Sequence, residues 1–322
     1  MPASSPVPHA CNRVLVALAW TCLGLTGSCA SPLDDSRTLS GEPLPRASFD
    51  DDTSARLLEN LERARAEYER TPTSEDAIIW YGRRLAYLGR YQEAIDVYTE
   101  GLAHHPSSYR LLRHRGHRYI SVRRLDMAIE DLEHAAVLIS GTTPRIEQDG
   151  IPNSRNSPIS TTQGNIWYHL GLARYLWGDF EGALRAYDQR FLETDANDDN
   201  HCSTAYWRYL ILRRLGRDDA ALEAIEHITS SMDIIENFGY RDLCLLYKGE
   251  LTPREVLGAD NDTALALDVE NATLAYGISM RTFLDGDTEE ARQMWEAIVA
   301  SEGGGYAFGY IAAEAELARL PE

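Results

Sequence analysis

One register recurs along this chain, and it limits the possible folds more than any other feature. Gly82, Gly89, Tyr91, Ala94, Tyr98 and Pro106 define a template, and one constant step along the chain carries all six onto Gly116, Arg123, Leu125, Ala128, Leu132 and Ser140. A second, longer step leads to Gly171, Gly178, Phe180, Ala183 and Tyr187, so five positions move together across one period and an insertion. Further on, Gly216 and Ala221 keep the spacing of their counterparts, as do Gly286 and Ala291, with room for one degenerate unit between the two pairs. Self-similarity of this kind marks a stack of small units, none of which buries its apolar face alone. Small residues recur where helices cross closely and large ones where they interdigitate, which predicts an all-α chain of antiparallel helix pairs.

The unit is clearest in GNIWYHLGLARYLWGDFEGALRAY, through Trp167, Leu170, Gly171, Tyr175, Gly178, Phe180, Ala183 and Tyr187. With these residues the chain resembles the tetratricopeptide-repeat (TPR) family. The resemblance implies a right-handed superhelix of helix pairs, the first helix of each pair facing a concave groove. Capping helices are expected at both ends, because terminal repeats otherwise expose apolar faces.

The organisation reads as a capping helix within 51–74, repeats one and two over 75–140, and an insertion over 141–163. Repeats three and four follow over 164–228, then a degenerate repeat, a final repeat and a capping helix over 229–322. Leu57, Leu58, Leu61, Ala64 and Tyr68 fall on helical spacing in the first cap, and Tyr306 to Leu320 supplies the last. Thr252-Pro253-Arg254-Glu255 opens a short helix with a capping residue, Pro at the first position and Glu three after the cap. The polar insertion carries Pro144, Pro152 and Pro158 and exceeds an ordinary connection. It reads either as disordered or as a loop folded across the groove that shapes what enters.

Residues 1–29 read as an export signal: Arg13 precedes an uncharged apolar stretch from Val14 to Leu25, too short to span a membrane, and small residues follow. Thr26-Gly27-Ser28-Cys29 resembles a lipobox with Thr in place of the usual Leu, while Ser28-Cys29-Ala30 also satisfies a small-x-small cleavage rule. Lipidation of Cys29, giving a periplasmic or outer-membrane lipoprotein, and plain secretion both stand. Residues 30–50, rich in Ser, Pro and Asp, read as a flexible tether reaching roughly 25 Å. Cys11 and Cys22 leave with the leader. Cys202 and Cys244 are expected as free buried thiols, placed near the start of one helix and the end of a parallel one, offset by about 12 Å along the axis.

Fifty acidic against 31 basic residues give a net charge of -19, which argues against nucleic acid as a partner and leaves a lipid anchor as the route to a membrane. Enzyme patterns are weak. Gly303-Gly304-Gly305-Tyr306-Ala307-Phe308-Gly309 follows a helix rather than a strand and reads as an inter-helix turn. His114 and His117 share a helix face but lack a third ligand at a diagnostic spacing, so they read as solvated or groove-lining. No catalytic, cofactor or metal residue is assigned.

By the repeat resemblance, the groove-facing positions run Asp76, Ile79, Arg83 and Tyr87; Arg110, Arg113, His117 and Ser121; Asn165, Tyr168 and Tyr175; Ser203, Tyr206 and Arg213. Tyr109 to Arg124 carries six arginines and no acid. Arginine holds carboxylates bidentately and tyrosine offers apolar area with a polar tip, which suits an acidic peptide or a carboxyl-terminal tail. The same residues also read as solvated helix faces. The order of leader, tether, cap and repeats resembles NlpI-like bacterial envelope lipoproteins, which implies an adaptor for cell-wall hydrolases and a processing protease; the insertion and the arginine-rich second repeat depart from that pattern. The expected function is a non-enzymatic envelope scaffold that binds one or more proteins through its groove. The alternative is a glycan or small-ligand binder that stacks its ligand on Tyr87, Tyr168, Tyr175 and Tyr206.

Overall fold

A computed structural model describes residues 36–44, 47, 49–193, 197–258, 269–301 and 305–321. Among them are fourteen helices and no sheet. The first, α1 (Asp51–Arg70), starts where the Asp50 carboxylate accepts a hydrogen bond from the Thr53 amide, satisfying a donor the helix itself leaves open. Pairs follow: α2 (Glu75–Tyr87) with α3 (Tyr91–His104), and α4 (Tyr109–Ser121) with α5 (Leu125–Leu138), equivalent helices starting one full repeat apart. Then come α6 (Thr162–Trp177) with α7 (Phe180–Glu193), and α8 (Asp198–Arg214) with α9 (Asp218–Glu226). The chain continues through α10 (Phe238–Lys248) with α11 (Pro253–Leu257), α12 (Val269–Leu284) with α13 (Thr288–Ala300), and a closing α14 (Phe308–Arg319). The capping box read at Thr252 is present, with Thr252 and Glu255 each bonded to the other's backbone amide.

Within the stack, α4 packs on both α2 and α6, and α10 on both α8 and α12, so the first helices of the pairs form an inner layer. The turn between paired helices passes through a residue with positive φ, a conformation that costs an L-residue with a Cβ roughly 1–2 kcal/mol. Glycine occupies it in the other repeats, but Arg123 stands there in the second with φ 61°. Its buried guanidinium donates to both oxygens of Glu314 on α14 at 2.9 Å and to the Gly305 carbonyl at 2.7 Å.

Helix α14 therefore does more than cap the last repeat. It packs on α12, α13 and also α6, and its buried Glu316 accepts hydrogen bonds from Tyr276 and Tyr175 while facing Arg214 and Arg319. These contacts lie at the carboxyl ends of α4, α6 and α8, where helix dipoles favour cations, so the arginines suit the place and bring the carboxylates with them.

The insertion is folded. Its two limbs pair through the Thr162 amide on the Arg145 carbonyl at 2.8 Å and the Glu147 amide on the Ser160 carbonyl at 3.0 Å. From that base, residues 145–161 run as a strap from α2 to the amino ends of α8 and α10. Asn197 and Asn200 donate to the Ile159 carbonyl, Asn153 donates to Glu236 and Arg155 pairs with Asp233. The buried Asp199 carboxylate fixes the far anchor by accepting from the amides of Ile235, Glu236 and Asn237.

Two expectations need correction. Part of the segment read as tether is packed: residues 36–44 form a tight turn, with Leu39 and Leu44 against the core, so apolar residues spaced through a polar stretch suffice to dock it. Cys202 and Cys244 are free and buried, but not offset, since the Cys244 thiol lies 3.9 Å from the Cys202 carbonyl oxygen. The short α10 begins only at Phe238, which puts Cys244 at mid-helix, level with Cys202. The export signal and Cys29 lie outside the described residues.

Candidate protein-interaction cleft

The strap and the inner layer border an open cleft of about 500 Å³ lined by Arg83, Tyr87, Arg113, Glu147, Asp149, Asn165 and Glu236. Its floor comes from the arginine-rich α4 and the carboxyl end of α2. Helical spacing puts Arg83, Arg84 and Tyr87 on adjoining faces of α2, and Arg113, His114, His117 and Arg118 on adjoining faces of α4. The Arg113 guanidinium sits 2.7 Å from Glu147, the side chains being 9% and 10% exposed, and donates to His114 Nδ1 at 3.0 Å. Arg83 donates to the Gln148 carbonyl at 2.8 Å and to the Tyr87 hydroxyl at 3.2 Å, and Arg84 donates to the Gly150 carbonyl at 2.8 Å. Arg118 lies over the Tyr91 ring at 5.5 Å and has no carboxylate partner among the described residues.

These cations act on one another. Burial holds the Arg113 guanidinium below its usual value, with Arg83 and Arg118 adding to the effect and Glu147 opposing it. Burial, followed by the neighbouring arginines, drives His114 and His117 well below the usual histidine range, and burial with Arg113 does the same to His169. A neutral His114 is what Arg113 requires, because Nδ1 must accept its hydrogen bond. His117 lies against His169, the ring centroids 4.2 Å apart and the planes tilted by 39°, and near Phe308, so it is packed rather than solvated. No three His, Cys, Asp or Glu side chains converge as a metal-binding set among the described residues.

Of the residues the sequence placed along the groove, the cleft gathers Arg83, Tyr87, Arg113 and Asn165. Arg110 lies beside it, paired with Glu75 and Asp76 on α2. Arg213 is engaged elsewhere, with Asp218, the Tyr209 hydroxyl and the Leu284 carbonyl. Three tyrosines are core rather than surface. Tyr168 shares hydrogen bonds with Tyr240 and Trp207, Tyr175 bonds to Tyr276 and Glu316, and Tyr206 is enclosed by Trp207, Tyr240 and Tyr247. The physical reason is that α6 and α8 are covered on their inner side by the strap, α10, α12 and α14. This removes three of the four stacking platforms on which a glycan site was expected. Ile79 and Ser203 are likewise buried.

The sequence reading missed Arg84, Arg118, Glu147, Gly150 and the α14 carboxylates. A signal for the last pair exists in FGYIAAEAELAR, where Glu314 and Glu316 stand among alanines on a helix with no polar face to hold them.

The helix register gives the class: these residues form an all-α solenoid of antiparallel helix pairs, the architecture that the tetratricopeptide-repeat resemblance of the sequence implies, closed by α14 and crossed by a strap. No family model and no curated protein matches the chain. Among solved structures it is similar to YrrB, a TPR protein with an unusual peptide-binding site, at 13% identity over 74% of this chain and 92% of that one, TM-score 0.42. It is also similar to a tetratricopeptide repeat protein from Parabacteroides merdae at 15% identity, 83% and 94% coverage, TM-score 0.45. A third similarity is to Naa15/Naa10 bound to HypK-THB at 14% identity, 81% and 37% coverage, TM-score 0.36.

Proposed function

We propose that this protein is a non-enzymatic scaffold of the cell envelope that docks acidic segments of partner proteins on the inner face of its first two repeats. One observation carries the reading. Arg83, Arg113 and Arg118 act on one another across α2 and α4, and of the three only Arg113 holds an ion pair with a carboxylate among the described residues, Asp149 and Glu236 lining the same cleft without pairing to any of them, in a chain whose net charge is -19. Arg83 and Arg118 therefore keep the capacity to take a carboxylate from an acidic ligand, a charge-assisted contact that the cleft's own acids leave unmade. The leader pattern of residues 1–29 supports export, and Cys29 is the residue to carry a lipid anchor. Changing Cys29→Ala is expected to move the protein from the membrane to the soluble fraction.

The docking reading is tested by crosslinked capture from envelope extract with the wild-type chain and with Arg83→Ala plus Arg118→Ala, neither of which pairs with a carboxylate among the described residues. The double variant is expected to lose its partners at least tenfold and to show a flatter salt dependence. Equal capture by both proteins would remove the cleft from the function.

A further inference from the structure

We propose that the inner face of the first two repeats selects an extended peptide of the pattern acid-x-x-glycine, and that residues 147–150 of the chain itself occupy this site as a built-in competitor. The inference rests on the docking function above and adds to it a recognition pattern and a means of control. Four contacts define the pattern. Arg113 Nη2 lies 2.7 Å from Glu147 Oε1, which anchors the acidic side chain. Arg83 Nη1 and Arg84 Nη1 donate at 2.8 Å to the main-chain carbonyls of Gln148 and Gly150, one and three residues further on. Gly150 abuts Tyr87 so closely that a Cβ there would fall 1.6 Å from the hydroxyl oxygen, so any side chain requires Tyr87 to move. The site thus holds one side chain and two carbonyls and screens sterically for glycine, the division of labour by which extended peptides are usually read.

The chain's own segment fits this site imperfectly, and the misfit makes it exchangeable. Glu147 meets Arg113 through one oxygen, leaving Arg113 Nε and Glu147 Oε2 buried without a hydrogen-bond partner. A carboxylate free of the strap's backbone can grip Nε and Nη2 together, a stronger arrangement. Ile146 and Ile151, flanking the site, are exposed, so apolar burial does not hold the segment in place. Tethering does, because a short closed loop presents its own segment at an effective concentration on the order of millimolar.

The test uses a variant in which residues 146–160 are replaced by Gly-Gly-Ser-Gly, a gap that the paired limbs at Arg145 and Thr162 already hold short. Its probe is a synthetic, end-blocked peptide of residues 145–152, Arg-Ile-Glu-Gln-Asp-Gly-Ile-Pro, followed by fluorescence anisotropy. The strapless protein is expected to bind it about tenfold or more tightly than the full chain does. Glu→Gln or Gly→Ala in the peptide, or Arg113→Ala in the protein, should each weaken binding about tenfold. A strapless protein with unchanged helical circular dichroism that ignores the peptide overturns the proposal, as does binding indifferent to the Glu→Gln change. Should the strapless protein not fold, the full chain carrying Glu147→Gln is titrated instead. Binding several-fold tighter than to wild type supports the competitor, and equal binding overturns it. If envelope partners are lost with Arg83→Ala plus Arg118→Ala while the peptide fails to bind, docking stands and only the pattern and the competitor fall.

Discussion

The strap and α14 both cover the inner layer of helices, and both do so by bringing a glutamate to a buried arginine, yet the two junctions differ in kind. Arg123 grips Glu314 side-on, Nε and Nη2 each donating to its own oxygen, with the side chains 3% and 5% exposed. Arg113 meets Glu147 through one atom pair and leaves an unused atom on each side. Around the first junction lie Ile311, Ala312, Ala313 and Ala315, all in the core. Around the second lie main-chain carbonyls and two exposed isoleucines. Equal charge content therefore does not mean equal permanence: what separates a structural carboxylate from an exchangeable one is whether apolar burial surrounds it and whether both partners are fully satisfied.

The sharpest way to break this comparison is to delete each carboxylate in turn. Glu314→Ala strands Arg123 beneath a packed helix, and about 3–5 kcal/mol of stability is expected to go in denaturant unfolding. Acidification should come next. His114, His117 and His169 are held neutral below the usual value of 6.5, so the unfolded chain binds more protons once the pH drops below it. Their contribution is present above about 6.5 and declines as the pH falls through that value toward their folded-state pKa values. The melting temperature should therefore decline below pH 6.5, and less steeply in His117→Asn. Glu147→Ala should cost only about 1 kcal/mol, because the strap can lift and let water reach Arg113. A loss as large as that of Glu314→Ala would make the strap as structural as α14. Gly150→Ala should leave the melting temperature nearly unchanged while increasing proteolytic cleavage between residues 148 and 156, since the added methyl displaces the strap from Tyr87. Unaltered cleavage would mean that Tyr87 moves instead.

Much of this architecture was readable from the chain. The recurrence of Gly82, Tyr98 and their equivalents reports helix crossings that are local to each repeat, and the capping box at Thr252 is a contact within four residues. The inner face was not readable in the same way. Assigning Tyr175 and Tyr206 to a groove assumes that the groove is open, whereas its covers arrive from residues up to 141 positions away, as in the Tyr175 to Glu316 hydrogen bond. A trace of this cover does exist in α6: from Asn165 onward its sequence, NIWYHLGLARYLW, is apolar nearly all round, as a helix enclosed on every side should be. The site itself was half legible. Arg83, Tyr87 and Arg113 follow from the repeat register, but Glu147 and Gly150 lie in an insertion that no repeat template describes.

The reach of Arg123 across 191 residues to Glu314 also changes how such a stack should assemble. A linear array gains stability from nearest neighbours and can fray from either end. A contact joining the second unit to the last helix turns the array into a closed circuit, which raises the mean sequence separation of contacts and slows folding. Entropy alone does not forbid it, since the cost of closing a loop grows only logarithmically with length. During synthesis, however, the left-handed turn at Arg123 emerges long before its partner. The second repeat then lacks this contact until α14 has been made, so the turn at Arg123 gains its carboxylate partner late in assembly.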